Sequence, residues 1–164
     1  MKKSILVLSM SCLLVLAGCG GSGRTMVLNK PTERHMAKSY NLVEGDSTVD
    51  CDVSVKKLFE QEINKGLADA HMAKGQDLKI EYRFIQFNEG SRLARYASRG
   101  IGDTGEGEMT VEVIFKDKDN KELNKLHVGG KVSSGFLGGS FDNAVELSAQ
   151  QVVKYVVANF KSVA

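Results

Sequence analysis

The sequence lacks the charge excess that would indicate a nucleic-acid partner. Its 22 Lys and Arg residues stand against 20 Asp and Glu residues, and two of the basic residues, Lys2 and Lys3, lie at the extreme N terminus. Without those two lysines the chain is electrically balanced, whereas nucleic-acid-binding domains carry a basic excess or stripe. We therefore expect no nucleic-acid partner.

The sequence also lacks an apolar run of the ~20 residues that a membrane span requires. Its one apolar stretch, SILVLSMSCLLVLA, follows Lys2 and Lys3 and is typical of a secretory signal peptide. The stretch leads into Leu16, Ala17, Gly18 and Cys19, which together resemble the bacterial lipobox. In proteins with this motif the signal is cut before the cysteine, whose sulfur receives a diacylglycerol and whose new amino group is acylated.

Lipidation at Cys19 would divide the chain into a signal peptide at 1–18, a lipidated tether at 19–24 and a single domain at 25–164. Each buried methylene contributes about 0.8 kcal/mol, so several acyl chains hold a protein on a membrane permanently. Gly20 follows the cysteine, at the position where aspartate marks retention in the inner membrane of Gram-negative bacteria. By resemblance to that sorting rule, we expect the periplasmic face of the outer membrane if the host is Gram-negative.

The sequence contains few cysteines, and it shows no pattern typical of a catalytic or metal-binding site. Cys12 leaves with the signal and Cys19 is lipidated, so Cys51 has no partner for a disulfide within the chain. Cys51 is then either buried or a free thiol open to another chain, and we expect burial. The histidines lack metal-site spacing and no G-x-S-x-G motif is present. We expect no metal, no cofactor and no catalytic site.

Hydrophobic periodicity predicts an α+β domain. Strands are predicted at 36–43, 78–90, 107–119 and 123–132, with a shorter candidate strand at TMVL, and helices at 52–72 and 140–160. The order β-α-β-β-β-α, with short connections late in the chain, predicts a two-layer sandwich with a mainly antiparallel sheet and two helices on one face. The apolar positions change parity between Phe84 and Ile85, which indicates a β-bulge or a covered face. Gly75 is expected to supply the left-handed turn after the first helix.

The second half of the chain resembles a bacterial lipoprotein family. The runs FNEGSRLARYASRGIGDTGEGEMTVEVIFKDKDNKEL and VGGKVSSGFLGGSFDNAVELSAQQVVKYV are similar to the family that carries domain of unknown function 4410. The first half matches that family in the order of its elements. Since the family has no established activity, the resemblance implies a fold and a location and adds no mechanism.

The stretch RGIGDTGEGE contains the spacing G-x-G-x-x-G at Gly100, Gly102 and Gly105. A dinucleotide fingerprint follows a buried strand and opens a helix whose N terminus faces the pyrophosphate. Here a strand pattern follows instead, and Glu106 and Glu108 would stand close to any phosphate. We therefore interpret the glycines as a hairpin connection and expect no nucleotide ligand.

Three arginines precede that glycine run and are candidates for anion or partner binding. If residues 92–99 form a helical turn, Arg92, Arg95 and Arg99 lie on one face and can hold a lipid A phosphate or a peptidoglycan carboxylate. In an extended chain Arg92 points away from the other two, and all three are solvated or ion-paired.

Phe136 and Leu137 stand between glycines in SSGFLGGSF and are candidates for an apolar contact. If exposed, they form a small apolar tip for a partner or the membrane. The alternative is that they pack under the edge of the sheet.

These features predict an outer-membrane lipoprotein whose domain works by binding or assembly. The expected partners are the membrane, through the lipid at Cys19, and an envelope protein, peptidoglycan or a lipid headgroup. Two alternatives stay open. One is a small envelope enzyme, either a hydrolase or a thiol enzyme using Cys51. The other is a structural lipoprotein that self-associates through the exposed edge of its sheet.

Replacing the predicted lipidation site tests the anchor. Cys19→Ala is expected to abolish metabolic labelling with palmitate and to release the protein from membranes, because only a thiol can form the thioether. The measurement is labelling followed by membrane fractionation. Unchanged labelling of the variant would refute the assignment.

Overall fold

The computed structural model describes residues 22–29, 35–88, 107–132 and 141–162. Within them the chain forms six strands and two helices. The strands are β1 (Ser22–Asn29), β2 (Ser39–Glu44), β3 (Ala73–Lys74), β4 (Leu78–Asn88), β5 (Gly107–Lys116) and β6 (Glu122–Val132), and the helices are α1 (Val53–Asp69) and α2 (Phe141–Asn159).

The strands form one sheet in the order β1-β6-β5-β4-β2-β3. Strands β4, β5 and β6 are antiparallel neighbours, and β1 pairs antiparallel with β6. β2 instead runs parallel to β4, because α1 crosses over between them and returns the chain to the same end of the sheet. The predicted α+β class, with both helices on one side of a mainly antiparallel sheet, is confirmed.

The first helix forms as its apolar spacing predicts. Val55, Phe59, Ile63 and Leu67 recur at intervals of four and are all buried. The helix begins after Asp52, whose side chain accepts a hydrogen bond from the backbone N–H of Ser54 at 3.1 Å.

The end of α1 differs from the prediction. The residue with a left-handed backbone is His71, at φ 60°, and not Gly75. The backbone N–H of His71 donates to Ala68 O at 2.8 Å and that of Met72 to Leu67 O at 2.9 Å, so the last turn of the helix closes before the glycine. The next residues form the short strand β3, and Gly75, directly after it, donates its backbone N–H to Tyr40 O.

The core lies between the helices and one face of the sheet. Alternate residues of β4, from Leu78 to Phe84, are fully buried on this face, as are alternate residues of β5 from Met109 to Phe115. Phe59 of α1 packs against Tyr82 and Phe84 with ring centroids 5.3 and 5.8 Å apart.

The predicted irregularity in β4 is a β-bulge. The pairing register with β5 shifts between Phe84 and Gln86, so Phe84 opposes Val111 while Gln86 opposes Thr110. Beyond the bulge Phe87 faces the helices and meets Phe141 of α2 edge-on, with 5.5 Å between ring centroids. The bulge therefore keeps the apolar residues of β4 on the helix side over its whole length.

The first strand begins earlier than the candidate strand predicted at TMVL. Strand β1 starts at Ser22 and pairs with β6 from Lys131 onwards. Ser22, Gly23 and Arg24, which the sequence analysis placed in the tether, thus belong to the sheet. The hairpin between β5 and β6 closes through Asp117, whose carboxylate accepts hydrogen bonds from the backbone N–H groups of Asp119 and Lys121, each at 2.9 Å.

Two adjacent glycines of β6 allow a matched test of helix packing. A Cβ at Gly130 would meet the carbonyl oxygen of Ala144 in α2 at 2.5 Å, whereas one at Gly129, on the other face, would meet Met109 O at 3.1 Å. Gly130→Ala is expected to lower the free energy of unfolding by about 1–3 kcal/mol, because α2 must move away from the sheet. Gly129→Ala should have the smaller effect in urea unfolding, and equal effects would contradict this packing.

Candidate functional site

The face of the sheet opposite the two described helices, called the open face below, carries most of the interacting polar side chains. They come from alternate positions of adjacent strands, so the register of the sheet decides which of them meet. The side chains on the open face are Arg24 and Met26 on β1, Lys125, His127 and Lys131 on β6, Glu108, Thr110, Glu112, Ile114 and Lys116 on β5, and Lys79, Glu81, Arg83 and Gln86 on β4.

Glu112 lies at the centre of this face and is only 8% exposed. Its Oε1 forms an ion pair with Nη2 of Arg83, and its Oε2 lies 3.1 Å from Nε2 of His127. The three residues meet because they oppose one another across β4, β5 and β6. The buried Nε of Arg83 has no hydrogen-bond partner among the described residues.

Burial raises the pKa of Glu112, but hydrogen bonds from His127 and Arg83 outweigh it, and the pKa lies below its usual value. The carboxylate is therefore ionised at neutral pH although it is almost inaccessible to water. The result is a rigid charged group held between two donors in the middle of the sheet.

A second carboxylate on the open face is held in the same manner. Oε2 of Glu81 lies 2.8 Å from Nζ of Lys116 and 3.3 Å from Nζ of Lys79. Its pKa is lowered chiefly by the hydrogen bond from Lys116. Paired charges thus extend along the open face from β4 to β5.

A hollow of about 170 Å³ opens on the same face above Gly129. It exists because Gly129 carries no side chain where it lies between Thr110 on β5 and Arg24 on β1. The walls include Arg24, Met26, Glu108, Thr110, His127 and Lys131. Lys131 Nζ lies 3.5 Å from Glu108 Oε1, which leaves the guanidinium of Arg24 as the cation here without an ion pair among the described residues.

The second depression lies at the opposite edge, between β2 and the start of α1. It is lined by residues 44–50 together with Lys56, and its volume is about 620 Å³. Lys56 Nζ is paired with Glu44 Oε1 at 2.6 Å. No group of three His, Cys, Asp or Glu residues that could hold a metal ion occurs in the part of the chain that the structure describes.

Cys51 is buried, as predicted, with 5% of its surface exposed, and it is not in a disulfide. Burial raises the pKa of its thiol to about 11, an effect that the nearby charge of Lys56 only partly offsets. The thiol is therefore protonated at neutral pH, and the reactive thiolate is scarce.

The other residues singled out from the sequence lie outside the described residues: Cys19, the arginines at 92, 95 and 99, the glycine motif beginning at Gly100, and Phe136 with Leu137. Those assignments stay predictions. The described residues that flank them are informative, because Asn88, Glu108 and Lys131 oppose one another and Lys131 opposes Ser22. β4 ends, β5 begins, β6 ends and β1 begins at this one end of the sheet.

Sequence reasoning missed the group formed by Arg83, Glu112 and His127. Each lies on the polar side of a strand that the sequence predicts correctly. The alternation within each strand therefore identified these residues as polar and outward-facing. Which of them become neighbours depends on strand register and on the bulge in β4.

No helix in the described ranges is long and apolar enough to span a membrane. No family model matches the chain, and no curated protein matches it, so the resemblance to the family with domain of unknown function 4410 stays a prediction.

Solved structures give distant likenesses. The PelC dodecamer from Paraburkholderia phytofirmans, in two crystal forms, is 10% identical, with TM-scores of 0.46 and 0.42, and the match covers 87% of this chain and 99% of that one. A minor lipoprotein from Acinetobacter baumannii is 11% identical, with a TM-score of 0.41, and the match covers 74% and 94% of the two chains. At these scores the likenesses carry no argument about function.

Because Glu112 is buried and ionised, we expect the stability of the fold to depend on pH. Because the folded-state pKa of Glu112 is depressed, its ionised form stabilises the fold at neutral pH, and that contribution is lost as the pH falls through the folded pKa. Glu112→Gln is expected to lower the free energy of unfolding by about 1–3 kcal/mol at neutral pH and by less in acid.

Urea unfolding at several pH values measures this difference. Glu108→Gln, which removes the half-exposed partner of Lys131, is the control and should change stability by about 0.5 kcal/mol or less. A Glu112→Gln effect that is the same at neutral and acid pH would contradict the assignment.

Proposed function

We propose that this protein is a lipid-anchored binding module of the bacterial envelope that recognises its partner through the open face of its sheet. The observation that carries the proposal is the one-sided architecture. Both described helices pack on one face, while the other presents an ordered array of ionised side chains around Glu112. We place the module on the periplasmic face of the outer membrane.

The chemistry of the open face supports recognition by polar contacts. A buried ion pair adds little to stability compared with an apolar replacement, because desolvation offsets its attraction. Here such pairs hold Arg83, Glu112 and His127 in fixed positions, so a partner meets donors and acceptors that are already oriented. The partly exposed guanidinium of Arg83 and the guanidinium of Arg24 are donors that an incoming acceptor can reach.

The lipobox at Leu16–Cys19 supports the envelope location, and so does the resemblance to the lipoprotein family with domain of unknown function 4410. The arginines at 92, 95 and 99 belong to the connection between Asn88 and Gly107, and Phe136 and Leu137 to the connection between Val132 and Phe141. The first connection joins β4 to β5 and the second leads from β6 into α2, and both leave the sheet at the end where β1 begins. An envelope protein, peptidoglycan or a lipid headgroup is the partner class we propose.

The environment of Cys51 disfavours the thiol-enzyme alternative. A nucleophilic cysteine needs a lowered pKa and access to substrate, whereas this thiol is buried and its pKa is raised to about 11. We therefore propose that the protein is not an enzyme of this type.

Site-specific photo-crosslinking in living cells tests the open face. A photoreactive amino acid at Thr110, at the edge of the hollow above Gly129, is expected to give discrete adducts. Mass spectrometry of the adducts distinguishes a protein, a glycan and a lipid. Adding Arg83→Ala should weaken the Thr110 adducts, since it removes a donor adjacent to Glu112.

The matched control carries the same photoreactive residue at Gln150, an exposed position on α2. Gln150 should give no discrete adduct, because it projects from the helix layer. The proposal fails if Thr110 gives no adduct, or if Thr110 and Gln150 give the same adducts.

A further inference from the structure

The first strand of the domain exposes an apolar edge. β1 lies at the margin of the sheet and pairs with β6 alone among the described strands. Met26, Val27 and Leu28 are consecutive in it and are 62%, 42% and 41% exposed. These residues lie on both faces of the strand, because Met26 opposes His127 on the open face while Val27 opposes Leu126 on the helix side.

Such an edge is unusual for a protein that stays soluble. Exposed edge strands are ordinarily protected by charges, proline, bulges or a covering segment, since an apolar edge promotes association. β1 has a register shift between Val27 and Asn29 and a single charged residue, Arg24. The combination indicates that a surface of suitable chemistry covers this edge.

The position of β1 in the chain indicates what that surface is. Ser22 is three residues after Cys19, and three extended residues span about 10 Å. A lipid on Cys19 would hold the start of β1 at the level of the headgroups. This step rests on the proposed lipid anchor.

The distribution of charge favours the same surface. β1 contains no acidic residue, and β6 beside it adds Lys125 and Lys131 against the single acid Glu122. At the opposite edge, residues 39–52 contain four acidic residues and no Lys or Arg, and β3 adds the single basic residue Lys74. The domain thus has a basic, apolar edge beside the anchor and an acidic edge away from it, which is the polarity that an anionic lipid surface attracts.

The outer edge of β1, with which no described strand pairs, sets how deep the contact can be. Free N–H and C=O groups are not tolerated in the hydrocarbon core, but water and headgroups satisfy them at the interface. The strand therefore lies at headgroup level, with only apolar side chains such as Met26 and Leu28 reaching towards the acyl chains.

We propose that the β1 edge is a membrane-contacting surface, on which Met26, Val27, Leu28 and Arg24 rest against an anionic lipid–water interface. The sheet then stands on its β1 edge, and the β3 edge lies about five strand spacings, or ~24 Å, farther from the membrane. In this orientation the open face stands upright on the bilayer and is reached from the side.

Fluorescence quenching by lipids measures the orientation. The full-length lipidated protein, in a Cys51→Ser background, carries a single fluorophore through Asn29→Cys or Gln76→Cys. Asn29 ends β1 far from the anchor along the strand, and Gln76 is exposed next to β3. The vesicles contain phosphatidylcholine, phosphatidylglycerol and a lipid spin-labelled near its headgroup.

A fluorophore at position 29 is expected to be quenched at least about two-fold more than one at position 76, because ~24 Å separates the two edges. Equal weak quenching at both positions would overturn the proposal, since it indicates that the domain stands on the Ser22 end of the sheet or swings freely. The proposal would also be overturned if the protein is a dimer in detergent and the fluorophore at position 29 is shielded from solvent in vesicles but is not quenched by the lipid. That result would assign the edge to a second copy of this chain.

A charged substitution on β1, with a matched one on α1, tests whether Met26 contacts the membrane. Met26→Glu should reduce quenching at position 29 to the level at position 76, whereas Val53→Glu, at an exposed apolar residue of α1, should leave it unchanged. Circular dichroism and urea unfolding of both variants verify the fold. If Met26→Glu unfolds the domain, Arg24→Glu takes its place and should reduce quenching only in vesicles that contain phosphatidylglycerol.

Failure of the anchor is measured separately. Palmitate labelling and flotation with vesicles report lipidation at Cys19, on which the proposed function depends. A labelled, floating protein with equal quenching at both positions refutes the contact at β1 and leaves the proposed function intact.

Discussion

The packing of two helices on the same face of the sheet is the constraint on which the rest of the structure depends. α2 approaches β6 so closely that Gly130 has no room for a Cβ beneath Ala144, and α1 meets α2 where Gly66 faces Val153. The crossover of α1 places β2 parallel to β4 and brings Phe59 onto Tyr82 and Phe84. Most apolar side chains of the central strands thereby lie in one layer of core, and Ile114, on the open face, is an exception.

The same packing explains the polar character of the open face and the different chemistry of the two sheet edges. Since most of the apolar residues lie on the helix side, the opposite face is left mainly to polar residues, which neutralise one another in pairs such as Arg83 with Glu112. Because the sheet is open, it has two edges of different character. The edge at β1 is basic and apolar, and the edge formed by β2 and β3 is mainly acidic. The domain thus presents different chemistry at its two sheet edges.

Much of the fold could be predicted, because its determinants are local. The intervals of four in α1, the alternation in β5 and the parity change at Phe84 each depend on a few neighbouring residues, and the structure confirms all three. The left-handed residue after α1 could not be found in this way. The helix ends where its last turn closes at His71, and glycine statistics point instead to Gly75. The early start of β1 was also missed, because a run of glycine and serine is typical of a flexible tether. Only the pairing with β6 shows that Ser22 and Gly23 belong to a strand.

The sequence by itself determined where the two helices and the central strands lie, which side of each is apolar, and the lipobox that predicts an anchored protein. These properties follow from periods of two and of about three and a half residues and from short motifs, so no distant part of the chain is needed to identify them. Only the tertiary structure decided that Glu112 lies between Arg83 and His127 and that β1 is an edge. Both depend on strand order and register, which are set by contacts between residues far apart in the chain and by the packing of the helices.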